Sequence, residues 1–191
     1  LVVFKMSTSI YCFSLVLFTA SLLNSEISEQ KKDQIPYEED ECNFPYQNAL
    51  EAVKIEGKLY VKSQNFNSTL PPLCDSAQRV ATINETAYVF SLAAVIPLLP
   101  NKTVKFNTSL VLSMTGNHCV YNAMTYKYET TAAPKLRKLM YMNESKSCMI
   151  FVDERNSTAE EARCQLLLPA AYVDQEVPSD CKRFTKNSAP A

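Results

Sequence analysis

The fold is decided most clearly by one alternating stretch, Val104-Lys105-Phe106-Asn107-Thr108-Ser109-Leu110-Val111-Leu112-Ser113-Met114. Counting every second residue from Val104, all but Thr108 are apolar, and the residues between them are polar except for Val111. Because successive side chains of a β-strand point to opposite faces, the pattern predicts a strand with one face in a core and the other in water. Asn107 begins the glycosylation signal Asn107-Thr108-Ser109 and falls on the polar face, where a glycan must lie.

Seven further short strands are predicted around this one, separated by clusters of proline, asparagine and serine. They span Gly57 to Ser63, Ala77 to Ile83, Thr86 to Ile96, Val120 to Thr130, Lys135 to Met142, Ser147 to Asp153 and Arg163 to Leu168. A short helix is predicted over Tyr46 to Glu56, and a short helical tail after Pro178. Eight strands with so little helix favour an all-β antiparallel barrel or sandwich, and an eight-stranded barrel has room for one small ligand.

The N-terminal region has the pattern of an export signal. The apolar run from Ile10 to Leu23 is shorter than the roughly 20 residues that cross a bilayer, and small and polar residues follow it. We therefore predict a signal peptide over residues 1–25, with Met6 as the candidate start of translation. The protein is then expected to be secreted and extracellular, and a membrane anchor is the alternative. Cys12 lies in this segment, and the other cysteines form an even set, which in an exported chain predicts disulfides. These are Cys42, Cys74, Cys119, Cys148, Cys164 and Cys181.

Glycosylation signals support export. Acceptor tripeptides begin at Asn67, Asn84, Asn101, Asn107, Asn143 and Asn156. About two such matches would arise by chance, so the excess predicts passage through a glycosylating secretory pathway.

Removal of the signal leaves an acidic leader over residues 26–41 and one domain over residues 42–191. The leader carries Glu38-Glu39-Asp40-Glu41, which we expect to be solvated. The net charge of −1 and the lack of a basic patch argue against nucleic acid as a partner. No second apolar segment is long enough to span a membrane. With two glycines in the chain, phosphate-binding glycine loops are excluded.

No catalytic or metal site is predicted. His118 is the only histidine, and its neighbour Cys119 is expected to be in a disulfide. A nucleophile paired with a histidine would need a free cysteine or a dedicated serine beside His118, and no motif marks one. Oxidised cysteines cannot bind zinc as thiolates. We therefore expect a protein that is not an enzyme and carries no cofactor.

Several motifs in order resemble one family. Asn48-Ala49-Leu50-Glu51-Ala52 precedes Lys58-Leu59-Tyr60-Val61-Lys62, Leu73-Cys74 follows, and Tyr126-Lys127-Tyr128-Glu129-Thr130 lies further along. The most specific set is Cys148-Met149-Ile150-Phe151-Val152, then Cys164-Gln165-Leu166-Leu167-Leu168, then Val177-Pro178-Ser179-Asp180-Cys181. Together these segments, from about Pro45 to Phe184, resemble the tick salivary lipocalins of the histamine-binding protein family.

The resemblance implies an eight-stranded antiparallel up-and-down lipocalin barrel with a short N-terminal helix and a C-terminal helical tail. It implies a monomer, secreted in saliva, that sequesters a host mediator such as histamine, serotonin or a leukotriene and so modulates inflammation. Some members bind sterols or fatty acids, and some inhibit host proteins.

The resemblance also identifies a candidate pocket. In histamine-binding members, acids on the last two strands hold the ammonium group, and Met149 and Gln165 occupy the matching positions here. Leu167 and Leu50 stand where the family has tryptophans. The implied lining comprises Tyr88, Phe90, Phe106, Leu110, Tyr126, Tyr128, Met149, Phe151, Gln165 and Leu167, with Leu92 and Leu112 beside them. Such a lining favours a lipid-like or flat aromatic ligand over a small dication. The alternatives are a barrel filled by its own side chains and a glycosylated inhibitor that binds a host protein on its outer surface.

The implied barrel also limits the disulfide pairing, because alternate strands start at opposite ends. Cysteines at the same end give Cys74–Cys164, Cys148–Cys181 and Cys42–Cys119 as the predicted set. Cys148–Cys181 matches the family's own pairing. The family partner of Cys74 lies beyond the terminal helix and is missing here, so Cys164 would take its place.

Overall fold

Eight β-strands close into one barrel in the computed structural model, which describes residues 35–67, 73–95, 102–155 and 157–186. The strands are β1 (Lys58–Gln64), β2 (Leu73–Thr82), β3 (Ala87–Val95), β4 (Thr103–Ser113), β5 (Ala123–Tyr126), β6 (Lys135–Met142), β7 (Met149–Asp153) and β8 (Cys164–Pro169). Each strand pairs antiparallel with the next, and β8 pairs with β1. The predicted eight-stranded up-and-down barrel is confirmed.

The strand β4 shows why the alternating pattern was decisive. Thr108, Leu110 and Leu112 are buried, whereas Asn107 and Ser109 between them are exposed. The strand β5 is shorter than predicted because the amide of Lys127 donates to the Thr108 hydroxyl (3.1 Å) instead of continuing the backbone ladder. The strand β5 therefore ends at Tyr126.

Two α-helices flank the barrel among the described residues, α1 (Ala49–Val53) and α2 (Ser179–Lys186). The predicted first helix is confirmed only in part. Short 3₁₀-helices cover Tyr37–Glu39, Glu41–Tyr46 and Ala170–Tyr172. The helix α1 begins late because Asn48 caps it, accepting a hydrogen bond from the amide of Glu51 (3.3 Å).

The barrel has a core on each side of its wall. Inside, Leu139, Met149 and Phe151 pack with residues of α1 and the other strands. Outside, Met140, Ile150 and Leu168 pack beneath α2, whose Phe184 is buried. Because both faces of β7, β8 and the second half of β6 are covered, these segments are apolar almost throughout rather than alternating.

The expectation that the acidic run is solvated was wrong for Glu38 and Glu39, whereas Glu41 is exposed. Glu38 is fully buried and accepts two hydrogen bonds from Arg155, Nε to Oε1 (2.7 Å) and Nη2 to Oε2 (2.9 Å). Glu39 pairs through Oε1 with Lys138 Nζ at 2.8 Å. The hydrogen bond to Glu38 raises the pKa of Arg155, so the guanidinium stays charged. Part of the predicted leader is therefore ion-paired to the outside of the barrel.

The predicted signal peptide lies outside the described residues, as does the leader up to residue 34. Across the part of the chain that the structure describes, no helix has the length and apolar character needed to cross a membrane.

Candidate ligand-binding site

The part of the barrel that the structure describes contains an apolar cavity of about 40 Å³, which is the volume that the centre of a water molecule can occupy. Six residues expected to face inward line it: Phe90, Leu92, Leu110, Tyr126, Phe151 and Leu167. The remaining lining comes from Ala52, Val53, Leu59, Ala77 and Met124. A space of this size holds a few water molecules, so a larger ligand must displace side chains.

The contribution of α1 to this lining was not predicted. Ala52 and Val53 close the cavity from the helix, and the amide of Ala49 anchors α1 by donating to the carbonyl of Tyr121 (2.7 Å). The apolar face of the short helix was the available sequence signal, but it could not show which wall of the barrel the helix covers.

Other expected lining residues lie elsewhere in the barrel. Met149 is fully buried within the inner core, and Phe106 is half-buried and does not line the cavity. Tyr88 is buried, with its hydroxyl donating to the carbonyl of Glu85 (2.8 Å). Tyr128 and Gln165 instead join a polar group described next.

A buried arginine is the main feature that sequence reasoning missed. Arg137 is 2% exposed, and its Nη1 donates to the Tyr126 oxygen (3.2 Å) and to Gln165 Oε1 (2.6 Å). Its Nε lies 3.1 Å from Asp153 Oδ1, and its Cζ lies 5.5 Å from the centre of the Tyr128 ring. We call Arg137, Tyr126, Tyr128, Asp153 and Gln165 the Arg137 cluster.

The Arg137 cluster keeps a positive charge inside the barrel. Burial acts to lower the pKa of Arg137, but Tyr126, Tyr128 and Asp153 more than offset it, so the pKa lies above its ordinary value. Burial raises the pKa of Tyr128, whose hydroxyl therefore stays protonated and donates to Asp153 Oδ1 (3.3 Å). Asp153 also pairs through Oδ2 with Arg163 Nε at 3.3 Å.

The sequence around Arg137 did not predict that this side chain lies inside the barrel. Lys135-Leu136-Arg137-Lys138-Leu139-Met140 puts basic and apolar residues on both faces of β6. Because this strand is covered on both sides, alternation assigns neither face to the interior. Only the contacts of Arg137 with β5, β7 and β8 show that it points inward.

His118 takes no part in the cavity. Its ring stacks on Phe44 with centroids 3.6 Å apart, Nδ1 lies 2.8 Å from the carbonyl oxygen of Thr115, and Nε2 lies 2.7 Å from Gln47 Oε1. The Gln47 amide nitrogen donates to the carbonyl of Met140 (3.1 Å), which identifies Oε1 as the acceptor facing His118. Both ring nitrogens therefore face acceptors, an arrangement that holds the N-terminal segment against the barrel.

The cysteine pairing is confirmed for one bond. Cys148 and Cys181 form a disulfide with Cα atoms 6.4 Å apart, tying α2 to β7. Cys42 and Cys119 are exposed free thiols, so the structure does not contain the predicted bond between them. Lying at the same end of a barrel does not by itself bring two sulfur atoms together. The side chain of Cys74 lies outside the description, and its bond to Cys164 stays a prediction.

The described glycosylation signals differ in accessibility. Asn67, Asn84 and Asn107 are exposed. Asn143 is 8% exposed, and its Nδ2 donates to Ser147 Oγ (2.9 Å) while Oδ1 accepts from the amides of Ser147 and Cys148. The buried, hydrogen-bonded amide makes Asn143 a poor acceptor. Asn101 and Asn156 lie outside the described residues.

Comparisons with known proteins agree with this architecture. Residues 37–190 match a family model described as tick histamine binding protein. Japanin from Rhipicephalus appendiculatus, solved bound to cholesterol, is similar with a TM-score of 0.50 and 14% identity, covering 71% of this chain and 93% of that chain. At that identity the likeness shows the fold alone.

Two further solved structures are similar at lower scores. The allergen Per a 4 from cockroaches has a TM-score of 0.44 and 8% identity, covering 68% of this chain and 73% of its own. Lobster apocrustacyanin A1 has a TM-score of 0.46 and 14% identity, covering 68% and 69%. No curated protein matches the sequence significantly.

Proposed function

This chain belongs to the tick histamine-binding protein family, and from that premise we propose that it is a secreted lipocalin that sequesters a small, mainly apolar host mediator inside its barrel. The observation that carries the proposal is the cavity walled by side chains such as Phe90, Leu110 and Phe151 within a closed barrel. Capture in such a site would lower the free concentration of the mediator and so modulate inflammation. The role is binding, as a monomer, without catalysis or a cofactor.

The same site disfavours a biogenic amine. Burying an ammonium group requires a carboxylate partner, because the lost hydration must be replaced. Met149 is fully buried among apolar residues, and Gln165 is hydrogen-bonded to Arg137 and Gln64. The carboxylate of the Arg137 cluster, Asp153, is already paired with two arginines. A second cation beside Arg137 would meet repulsion rather than a counter-charge.

Calorimetry against histamine, serotonin, a leukotriene and cholesterol tests the ligand class. We expect apolar ligands to bind and histamine to bind at least tenfold more weakly, since a buried ion pair is missing. Histamine binding at micromolar or tighter affinity would contradict our interpretation of Met149 and Gln165. Native mass spectrometry of deglycosylated protein from insect cells would show whether a small ligand copurifies.

Two adjacent residues of β4 provide a matched pair of variants. Leu110 is 4% exposed and lines the cavity, whereas Val111 is 48% exposed on the outer face. We expect Leu110→Trp to abolish binding by filling the cavity and Val111→Trp to leave it unchanged. Ala77→Val adds less volume to the same cavity and serves if Leu110→Trp does not fold, as judged by circular dichroism.

The small size of the cavity favours one alternative, a glycosylated inhibitor that binds a host defence protein with the barrel as scaffold. Under this alternative, Leu110→Trp would leave capture of the host protein intact. An empty protein in native mass spectrometry that still captures a serum protein would support the scaffold role and contradict sequestration.

A further inference from the structure

The side chain of His118, in the loop between β4 and β5, is buried between two oxygen acceptors. It is 0% exposed, and Nδ1 faces the carbonyl oxygen of Thr115 (2.8 Å) while Nε2 faces Oε1 of Gln47 (2.7 Å). The Gln47 amide nitrogen is fixed on the other side, because it donates to the carbonyl oxygens of Met140 (3.1 Å) and Tyr37 (3.3 Å). A neutral imidazole has one N–H and can donate to only one of the two acceptors, whereas an imidazolium donates to both.

Two further neighbours favour the charged form of His118. Glu39 Oε2 lies 3.7 Å from Nδ1, and it is a buried oxygen that makes no hydrogen bond within the described part of the chain. The ring of Phe44 stacks on the imidazole with centroids 3.6 Å apart, and the face of an aromatic ring attracts a cation. The ionisable groups that the described contacts bring to His118 are Glu39 and, through it, Lys138 of β6. Because Lys138 Nζ is bonded to Glu39 Oε1 (2.8 Å), the free oxygen Oε2 is the one that faces the histidine.

Gly116 permits the close approach of Glu39 to His118. Its φ is 53°, and a Cβ at this position would lie 2.0 Å from Glu39 Oε2. Any other residue at position 116 would therefore push the carboxylate away from the imidazole. The loop geometry and the carboxylate thus fit together around the ring.

The contacts of His118 connect the N-terminal segment (residues 37–47) with the helix that closes the cavity. This segment carries three of the groups that contact the ring, and it leads directly into α1. The loop that contains His118 also anchors α1, because the amide of Ala49 donates to the carbonyl of Tyr121 (2.7 Å). Since α1 supplies part of the cavity lining, a change at His118 is transmitted to one end of the barrel.

We propose that His118 is a pH-sensitive clasp, which as the imidazolium holds the N-terminal segment and α1 against the end of the barrel. Release of one proton to solvent leaves either Thr115 or Gln47 with an oxygen facing a nitrogen lone pair, so an attraction becomes a repulsion. Histidine is the side chain whose charge ordinarily changes between about pH 5 and 8. The clasp is therefore complete at acidic pH and weakens as the pH rises. The inference concerns closure of the barrel, and it holds for any ligand in the cavity.

NMR and hydrogen exchange on the full domain test the proposal. His118 is the only histidine in the chain, so the ring nitrogen chemical shifts report on it alone. We expect these shifts to show an imidazolium at about pH 7.5, where a histidine in water is mainly neutral. Hydrogen exchange over residues 37–53, corrected for the intrinsic effect of pH, should show protection that falls about tenfold from about pH 6 to about pH 8.5, because a charge-assisted hydrogen bond is lost.

Three variants separate the charge from the packing. His118→Gln keeps a side chain that forms hydrogen bonds but does not titrate, so the fall in protection should disappear. Glu39→Gln removes the charge that faces Nδ1, so the fall should occur at least about one pH unit lower. Loss of the Lys138 pair in this variant would lower protection at every pH without moving the midpoint. Glu41→Gln is the matched control, because Glu41 is exposed in the same segment and accepts from Asn117 Nδ2 (3.3 Å) rather than facing the histidine.

A neutral ring at about pH 7.5 would overturn the clasp, as would protection that falls equally in the parent protein and in His118→Gln. Glu39→Gln keeps the test decisive if His118→Gln does not fold, since a midpoint as high as in Glu41→Gln would contradict the role of the charge. Neither measurement uses a ligand, so failure of the clasp would leave sequestration by the barrel standing.

Discussion

Replacing Glu38 by glutamine should destabilise the protein more than any surface substitution. The Glu38 side chain is 0% exposed and that of Arg155 is 5% exposed, and two hydrogen bonds of 2.7 and 2.9 Å join them. Glu38→Gln removes the negative charge and replaces one of the two acceptor oxygens by an amide donor, so the guanidinium keeps a neutral amide oxygen there and the carbonyl oxygen of Glu160 (3.2 Å). Breaking a buried pair by removing one partner costs about 3–5 kcal/mol, because a buried charge is left uncompensated.

For a domain of this size, that loss corresponds to a fall in Tm of roughly 6–20 °C. Urea unfolding followed by circular dichroism is the suitable assay, since the chain contains no tryptophan. The midpoint should fall while the slope stays constant. Glu51→Gln is the control: Glu51 pairs with Lys54 and Lys146 on the surface, and its loss should cost at most about 1 kcal/mol.

The double variant Glu38→Gln with Arg155→Met separates the pair from its surroundings. It should be more stable than Glu38→Gln alone, because no buried charge remains. A loss for Glu38→Gln no larger than that for Glu51→Gln would refute the reasoning, and would mean that the N-terminal segment is not held against the barrel by this pair.

Three further predictions concern separate parts of the fold. Burial raises the pKa of Asp75 to about 6, so the folded state holds this proton more tightly than the unfolded chain, and a destabilising penalty develops as pH rises from about 4 to 6. Asp75→Asn should therefore stabilise the protein at about pH 8, by at most about 1–2 kcal/mol given the partial exposure of Asp75, and have little effect at about pH 3.5. Urea unfolding of the variant and the parent protein at both pH values measures this, and an equal change in the free energy of unfolding at the two pH values would contradict it. Glycopeptide mapping should find a glycan on Asn107, which is exposed, and none on Asn143, which is buried and hydrogen-bonded to Ser147. A glycan on every Asn143 would contradict this, and would mean that the hydrogen bonds between Asn143 and Ser147 form only in the absence of the sugar. Phe184→Ala should cost about 3–5 kcal/mol in thermal unfolding, because Phe184 is the 1% exposed side chain that packs α2 on the barrel, and a loss under about 1 kcal/mol would show that α2 does not contribute to the cooperative fold.

Local sequence patterns predicted much of the fold correctly. The alternation in β4 correctly separated Leu110 and Leu112 from Asn107, and β6 begins and ends where predicted, at Lys135 and Met142. The spacing and order of the motifs were sufficient to predict the family, the closed barrel and the disulfide between Cys148 and Cys181. These properties depend on residues that lie close together in sequence or recur in a fixed order. A single sequence is therefore enough to predict them.

The sequence by itself therefore determined the barrel and several of its inward-facing strand residues, such as Phe90, Leu110 and Phe151. Only the tertiary structure decided which charged side chains are buried and which groups they pair with. Glu38 and Arg155 lie 117 positions apart in sequence, and Arg137 meets its partners Tyr126, Asp153 and Gln165 from three other strands. The physical reason is that a charge is buried only where partners converge on it, and closure of the barrel, rather than any local pattern, brings those partners together.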